Sequence, residues 1–225
     1  MNRSVYYAIP VLLLGACASF PNFPGLGSQS KYVEPESFKA SAFINDKSWV
    51  DSAIIGHNQV VTFDRVISAT QKSDFVLEST NRNTWMIQLR YTGDPKNYID
   101  CGRIVSRVKT PKGEHKYEFP AAKAYQQYQI QRDDKLYFID RRMALDISAV
   151  ITFEVLSPSR TRVKVDTQYT ATRDQSYQDS SGKPTGMTDR VTFGLRDASA
   201  TFSNAATKCR ATGQFELDLL ALAKR

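Results

Sequence analysis

Apolar and polar residues alternate most regularly in two neighbouring stretches, residues 145–155 and 161–172. Leu145, Ile147, Ala149, Ile151, Phe153 and Val155 are interleaved with Asp146, Ser148, Thr152 and Glu154. In the second stretch Val163, Val165, Tyr169 and Ala171 are interleaved with Arg162, Lys164, Asp166 and Gln168. A period of two sends one set to each face of a strand. The link Ser157-Pro158-Ser159-Arg160 is short and turn-like, so the two stretches predict an antiparallel hairpin with one buried and one wet face.

Around that hairpin the pattern predicts further elements. A helix starts near Asn58, a good capping residue, and runs to Gln71, with Val60, Phe63, Ile67 and Thr70 on one face and Asp64, Arg65 and Lys72 turned away. Strands are expected over 75–79 and 85–91 about the turn Asn81-Arg82-Asn83, with Trp85, Ile87, Leu89 and Tyr91 inward. Gly93-Asp94-Pro95 is a turn, and the stretch holding Tyr125, Tyr128 and Ile130 fits strand or helix equally. A long polar loop over 173–186 precedes short strands at 191–195 and 198–202. The last helix, over 213–223, carries Phe215, Leu219 and Leu222 in one stripe. Helices at the ends and strands between them predict an α+β class: a single domain over 46–225, with an antiparallel sheet and an N-terminal and a C-terminal helix packed on one face.

The first residues follow a different plan. Arg3 precedes the apolar run Ala8 to Leu14, which is too short to cross a ~30 Å hydrocarbon core and is interrupted by Pro10. Charged start, apolar middle and small residues at the end describe an export signal, residues 1–16. Its last residues and the next, Leu14-Gly15-Ala16-Cys17, resemble the lipobox of bacterial lipoproteins. The resemblance implies that the Cys17 thiol receives a diacylglyceryl group, that the preceding peptide is cut, and that the new amino terminus is acylated, with palmitate as one such chain. Two or three acyl chains hold a protein on a bilayer where one lets it go. Ala18, where family members retained at the inner membrane carry Asp, implies sorting to the outer membrane of a Gram-negative cell. Residues 17–45 contain Phe20, Pro21, Phe23, Pro24, Gly25, Gly27, Ser28 and Ser30 without periodicity, and read as a flexible tether to a periplasmic domain.

Composition narrows the partners. The chain has 225 residues and a net charge of +7, which falls to +6 once Arg3 leaves with the signal. In an envelope the polyanions at hand are lipid head groups and acidic glycans, so no nucleic-acid partner is expected. Of three cysteines, the lipobox resemblance assigns Cys17 to lipid attachment. The remaining Cys101 and Cys209 form an even pair in an oxidising compartment and are expected to make a disulfide.

Catalytic patterns are sparse. The only histidines, His57 and His115, sit before the first helix and in the charged turn Lys112-Gly113-Glu114-His115-Lys116, and neither lies in a zinc-protease motif. There is no GxSxG elbow, and Ser181-Gly182-Lys183-Pro184-Thr185 lacks the first glycine and the hydroxyl residue of a phosphate loop. Asp133-Asp134 lies between Arg132 and Lys135, which compensate it locally. No catalytic residue, cofactor or metal is therefore expected. The strongest candidate contact is the basic segment with Arg103, Arg107, Lys109, Lys112 and Lys116 against Glu114. It is either a contact for phosphate or acidic glycan, or a solvated strand edge whose charges discourage pairing with other chains.

The order of helix, strands and final helix behind a lipobox also resembles the helix-grip domains of START-like proteins and of the accessory lipoprotein C of the β-barrel assembly machinery. That resemblance implies a groove between sheet and terminal helix that binds rather than turns over. The functional expectation is a non-catalytic outer-membrane-anchored lipoprotein, an accessory or structural component of an envelope assembly with a protein partner. The alternative is a periplasmic binding module for lipid or acidic glycan.

Overall fold

The computed structural model describes residues 38–40, 49–132, 135–179, 181–182, 184–203 and 207–224. The signal, the lipobox, Cys17 and Asp133-Asp134 lie outside the described residues, as does all of the 17–45 stretch except one short strand. The strands are β1 (Phe38–Ala40), β2 (Ser52–Ile55), β3 (Val76–Asn81), β4 (Met86–Gly93), β5 (Ile99–Asp100), β6 (Arg103–Thr110) and β7 (Gly113–Pro120). They continue with β8 (Tyr125–Arg132), β9 (Lys135–Ser157), β10 (Arg160–Gln178), β11 (Pro184–Gly194), β12 (Ala200–Thr201) and β13 (Lys208–Ala211). Helix α1 (Gln59–Thr70) follows β2, and helix α2 (Gln214–Leu222) ends the fold.

β9 and β10 form one long antiparallel ribbon, 23 and 19 residues, paired from Arg160↔Ser157 to Gln178↔Phe138. Each strand changes partner partway along its outer edge. β9 pairs β8 over 135–142 and β4 over 145–152, while β10 pairs β2 over 161–164 and β11 over 168–178. The changeover points keep their backbone satisfied: Met143 N donates to Ala124 O at 2.8 Å, and Val165 N donates to Asp51 O at 2.8 Å. β3 closes this seven-stranded sheet beside β4. Two three-stranded sheets complete the fold, β1-β6-β7 and β12-β13-β5.

The ribbon's inward face carries Leu145, Ile147, Ala149, Ile151 and Phe153 against Val163, Val165, Tyr169 and Ala171, all buried as the alternation requires. The core extends without a break to Ile104 and Phe119 of β6–β7, to Phe63 and Val66 of α1 and to Phe215 and Leu219 of α2. Phe215 sits edge-on to Tyr98 at 5.0 Å and to Phe75 at 5.3 Å, within reach of Tyr91 and Tyr169. Asn58 caps α1 by accepting from Val61 N at 2.9 Å. α2 begins after Gly213 at φ 78, where an added Cβ would also meet the Trp49 ring at 3.1 Å, so only glycine fits.

The class differs from the expectation. Antiparallel strand dominates and two helices of 12 and 9 residues accompany it, so the fold is β-rich, not an α+β domain with helices packed on one sheet face, and the helix-grip layout goes with that correction. The polar stretch 173–186, read as a loop, is mostly the end of β10 and the start of β11. The undecided stretch around Tyr128 is strand β8. Arg141, Arg173 and Gln175 occupy inward positions there, so the period of two continues with residues that a polarity count assigns to solvent. α1 is also rotated from its expected face: Thr62 and Val66 are buried with Phe63 and Thr70, while Val60 is exposed and Ile67 half-buried.

Candidate functional site

The basic segment is one antiparallel hairpin, and register decides what its charges do. Arg107 lies directly opposite Lys116, Lys109 opposite Glu114 and Val105 opposite Glu118. Cross-strand partners share a face, so Arg103, Arg107, Lys109, Lys116, Glu114 and Glu118 all project from the outer side of β6–β7, with Lys112 in the connecting turn. The inner side carries Ile104, Val108 and Phe119, all buried, and Ser106, whose Oγ donates to Gln129 O of β8 at 2.6 Å. That inner side fixes the hairpin against the core and holds the outer side in place.

Carboxylates reach only part of this face. Glu118 accepts from Arg103 Nε at 3.2 Å and lies 2.7 Å from Lys116 Nζ. Its carboxyl is held below the usual range, first by the Lys116 hydrogen bond and charge and then by Arg103. Among the described residues no carboxylate lies within ion-pair distance of Arg107, Lys109 or Lys112. Like charges directly across a strand pair oppose folding unless something else neutralises them. The wet face of the large sheet is different: Arg162 pairs with Glu154 at 2.7 Å, Lys164 with Asp166 at 2.9 Å, and Arg90 with Asp146.

Cys101 and Cys209 form the expected disulfide, joining the end of β5 to β13. Beside it lies an open cleft of about 420 Å³ lined by Trp49, Ile99, Pro120 and Ala211 with Lys96, Asp100 and Arg210 as its charged groups. Asp100 and Arg210 are register partners in the β5–β13 pair.

A second polar group is sealed in the core and was not legible as such in the sequence. Arg173 is 1% exposed, ion-paired to Asp189 of β11 at 2.5 Å, and its guanidinium lies 4.8 Å from the centre of the Phe202 ring. Gln175 accepts from Tyr177 Oη at 2.8 Å and donates to Tyr128 Oη at 3.4 Å. Arg141, wholly buried, stands opposite Gln175 in register. Midway along the ribbon, Glu216 of α2 is wholly buried and accepts from Tyr169 Oη at 2.6 Å and Thr167 Oγ1 at 2.5 Å. Burial, then the Glu216 charge, pushes the Tyr169 phenol far above its usual range, so it stays a hydrogen-bond donor.

The two histidines are placed apart from these groups. His57 is exposed, its carbonyl accepting from Thr161 Oγ1 at 2.9 Å, and the acids near it in sequence are engaged elsewhere, Asp51 by Arg196 and Asp64 by Arg82. His115 is exposed on β7. Ser181 and Gly182 sit in the β10–β11 turn, where Asp179 accepts from Ser181 N at 2.9 Å. Among the described residues no three His, Cys, Asp or Glu side chains gather as a metal site needs, and no helix is long and apolar enough to cross a membrane. No protein-family model, curated protein or solved structure matches the chain.

Proposed function

We propose that this chain is a non-catalytic lipoprotein held on the periplasmic face of an outer membrane through Cys17, acting as an accessory component of a cell-envelope assembly through protein contacts. The observation that carries the reading is the buried Cys101–Cys209 disulfide. Such bonds persist in oxidising compartments and are rare in the cytosol. That supports export to an oxidising compartment, the first step toward the destination that Leu14-Gly15-Ala16-Cys17 implies. Crosslinking in intact cells followed by mass spectrometry tests it. A single protein partner is expected, its recovery falling sharply in Cys17→Ala; capture of no protein partner overturns the reading.

A second reading, a binding module for lipid or acidic glycan, is favoured by the outer face of β6–β7, where Arg107 faces Lys116 and, among the described residues, no carboxylate is within ion-pair distance of Arg107, Lys109 or Lys112. Reversing charge at Arg107 and Lys109 is expected to abolish binding to anionic envelope extracts. Unchanged binding removes this reading.

A further inference from the structure

We infer that the outer face of β6–β7 docks on anionic phospholipid head groups of the leaflet that carries the Cys17 anchor, giving the domain a fixed membrane-facing side. The inference deepens the second reading above and rests on Cys17 being acylated. Three observations point to this face and this occupant. First, it gathers Arg103, Arg107, Lys109, Lys112 and Lys116 against only two carboxylates, Glu114 and Glu118, and sets Arg107 directly across from Lys116, so the face keeps an excess of positive charge for an external anion. On the large sheet's wet face Arg162, Lys164 and Arg90 each have a carboxylate partner.

Second, the chain that leaves Cys17 joins the fold at this same sheet. β1 pairs β6 through Phe38↔Ser106, Lys39↔Val105 and Ala40↔Ile104. About twenty residues separate Cys17 from Phe38, a span of at most ~70 Å when fully extended. An acyl anchor on that span keeps the leaflet at high effective concentration around the basic sheet, which singles out its head groups over a soluble glycan. Third, the hairpin is anchored at its base: Ile104, Val108 and Phe119 are buried beneath it and Ser106 is tied to β8, so the backbone that carries Arg103, Arg107 and Lys109 needs little reordering on contact. A basic side chain beside an anionic surface strengthens binding roughly fivefold, and several together add the second signal that stable anchoring requires.

The test uses the chain from residue 17 onward carrying Cys17→Ala, sedimented with vesicles of phosphatidylglycerol and phosphatidylcholine or of phosphatidylcholine alone. Binding is expected to the anionic vesicles only, to weaken with added salt, and to fall on the order of tenfold or more in Arg107→Glu/Lys109→Glu. The control Arg162→Glu/Lys164→Glu, on the charge-balanced wet face, is expected to bind as the parent does. Circular dichroism establishes that both variants fold. Equal binding to neutral vesicles, or an unaltered affinity in the folded hairpin variant, overturns the inference. So does binding to a soluble acidic glycan with none to vesicles, which leaves the second reading standing. The intact mass of the chain recovered from the envelope reads the anchor separately. Acyl chains present without vesicle binding overturn the docking alone; their absence overturns the anchor reading and the docking with it.

Discussion

Two buried polar groups set the sharpest expectations at the scale of single residues. Arg173 is sealed in the core and Asp189 is its ion-pair partner. Removing one member of such a pair strands the other charge in low dielectric and costs about 3–5 kcal/mol, while replacing both by apolar residues of similar size is often neutral or stabilising. Urea denaturation is therefore expected to show Asp189→Ala losing about that much and Arg173→Met/Asp189→Leu losing far less. If the double variant is as unstable as the single one, the pair is not acting as a coupled charge. Tyr169 supplies a pH dependence with a definite sign. Its folded-state phenol is pushed well above the unfolded value of ~10, so its contribution is complete below pH ~10 and is lost as pH rises beyond it, where only the unfolded chain gives up the proton. Stability measured from pH 8 upward is expected to fall above ~10, and Tyr169→Phe is expected to lessen that fall. These residues also show why the sequence was only partly legible. Arg141, Arg173 and Gln175 keep the inward phase of the ribbon, but the partners of Arg173 and Gln175 come from β8, β11 and the segment at Phe202, and no local window contains them.

At the scale of elements, the disulfide ties together two short strands that are far apart in the chain. It closes 108 residues of chain between β5 and β13, each of which has only two to four residues of its own with which to pair. In the chain-entropy model a loop of that size is worth ~4–5 kcal/mol. Cys209→Ser is expected to lower the urea midpoint accordingly, with reducing agent doing the same to the parent and nothing further to the variant. A parent insensitive to reductant would show that the sheet β12-β13-β5 holds without the bond. The pair itself was legible by counting cysteines once Cys17 was set aside. The hairpin β6–β7 was legible only as a run of basic residues. Which of them share a face, and that Glu118 satisfies Arg103 and Lys116 while Arg107 faces Lys116 and Lys109 faces Glu114, follow from register, which composition does not contain.

For the molecule as a whole, the core cluster runs continuously from β6–β7 through the ribbon to both helices. The domain is therefore expected to unfold in one transition, with tryptophan fluorescence from Trp49 and Trp85 and far-UV circular dichroism giving the same urea midpoint. Separate midpoints would show that the basic hairpin, or the sheet at the disulfide, melts alone. The sequence by itself determined the central ribbon, the positions of both helices and the cysteine pair. Each of these is written in a short-range signal: a period of two, a capping residue ahead of a period near 3.6, a residue count. Only the tertiary structure decided that the ribbon extends through polar residues, which side of α1 is buried and which cations lack carboxylates. Arg173 can sit inward at the ribbon's far end because a separate strand, β11, supplies its counter-charge. The buried side of a helix is likewise set by what it packs against. Both depend on contacts between residues far apart in the chain, and a local pattern carries no record of them.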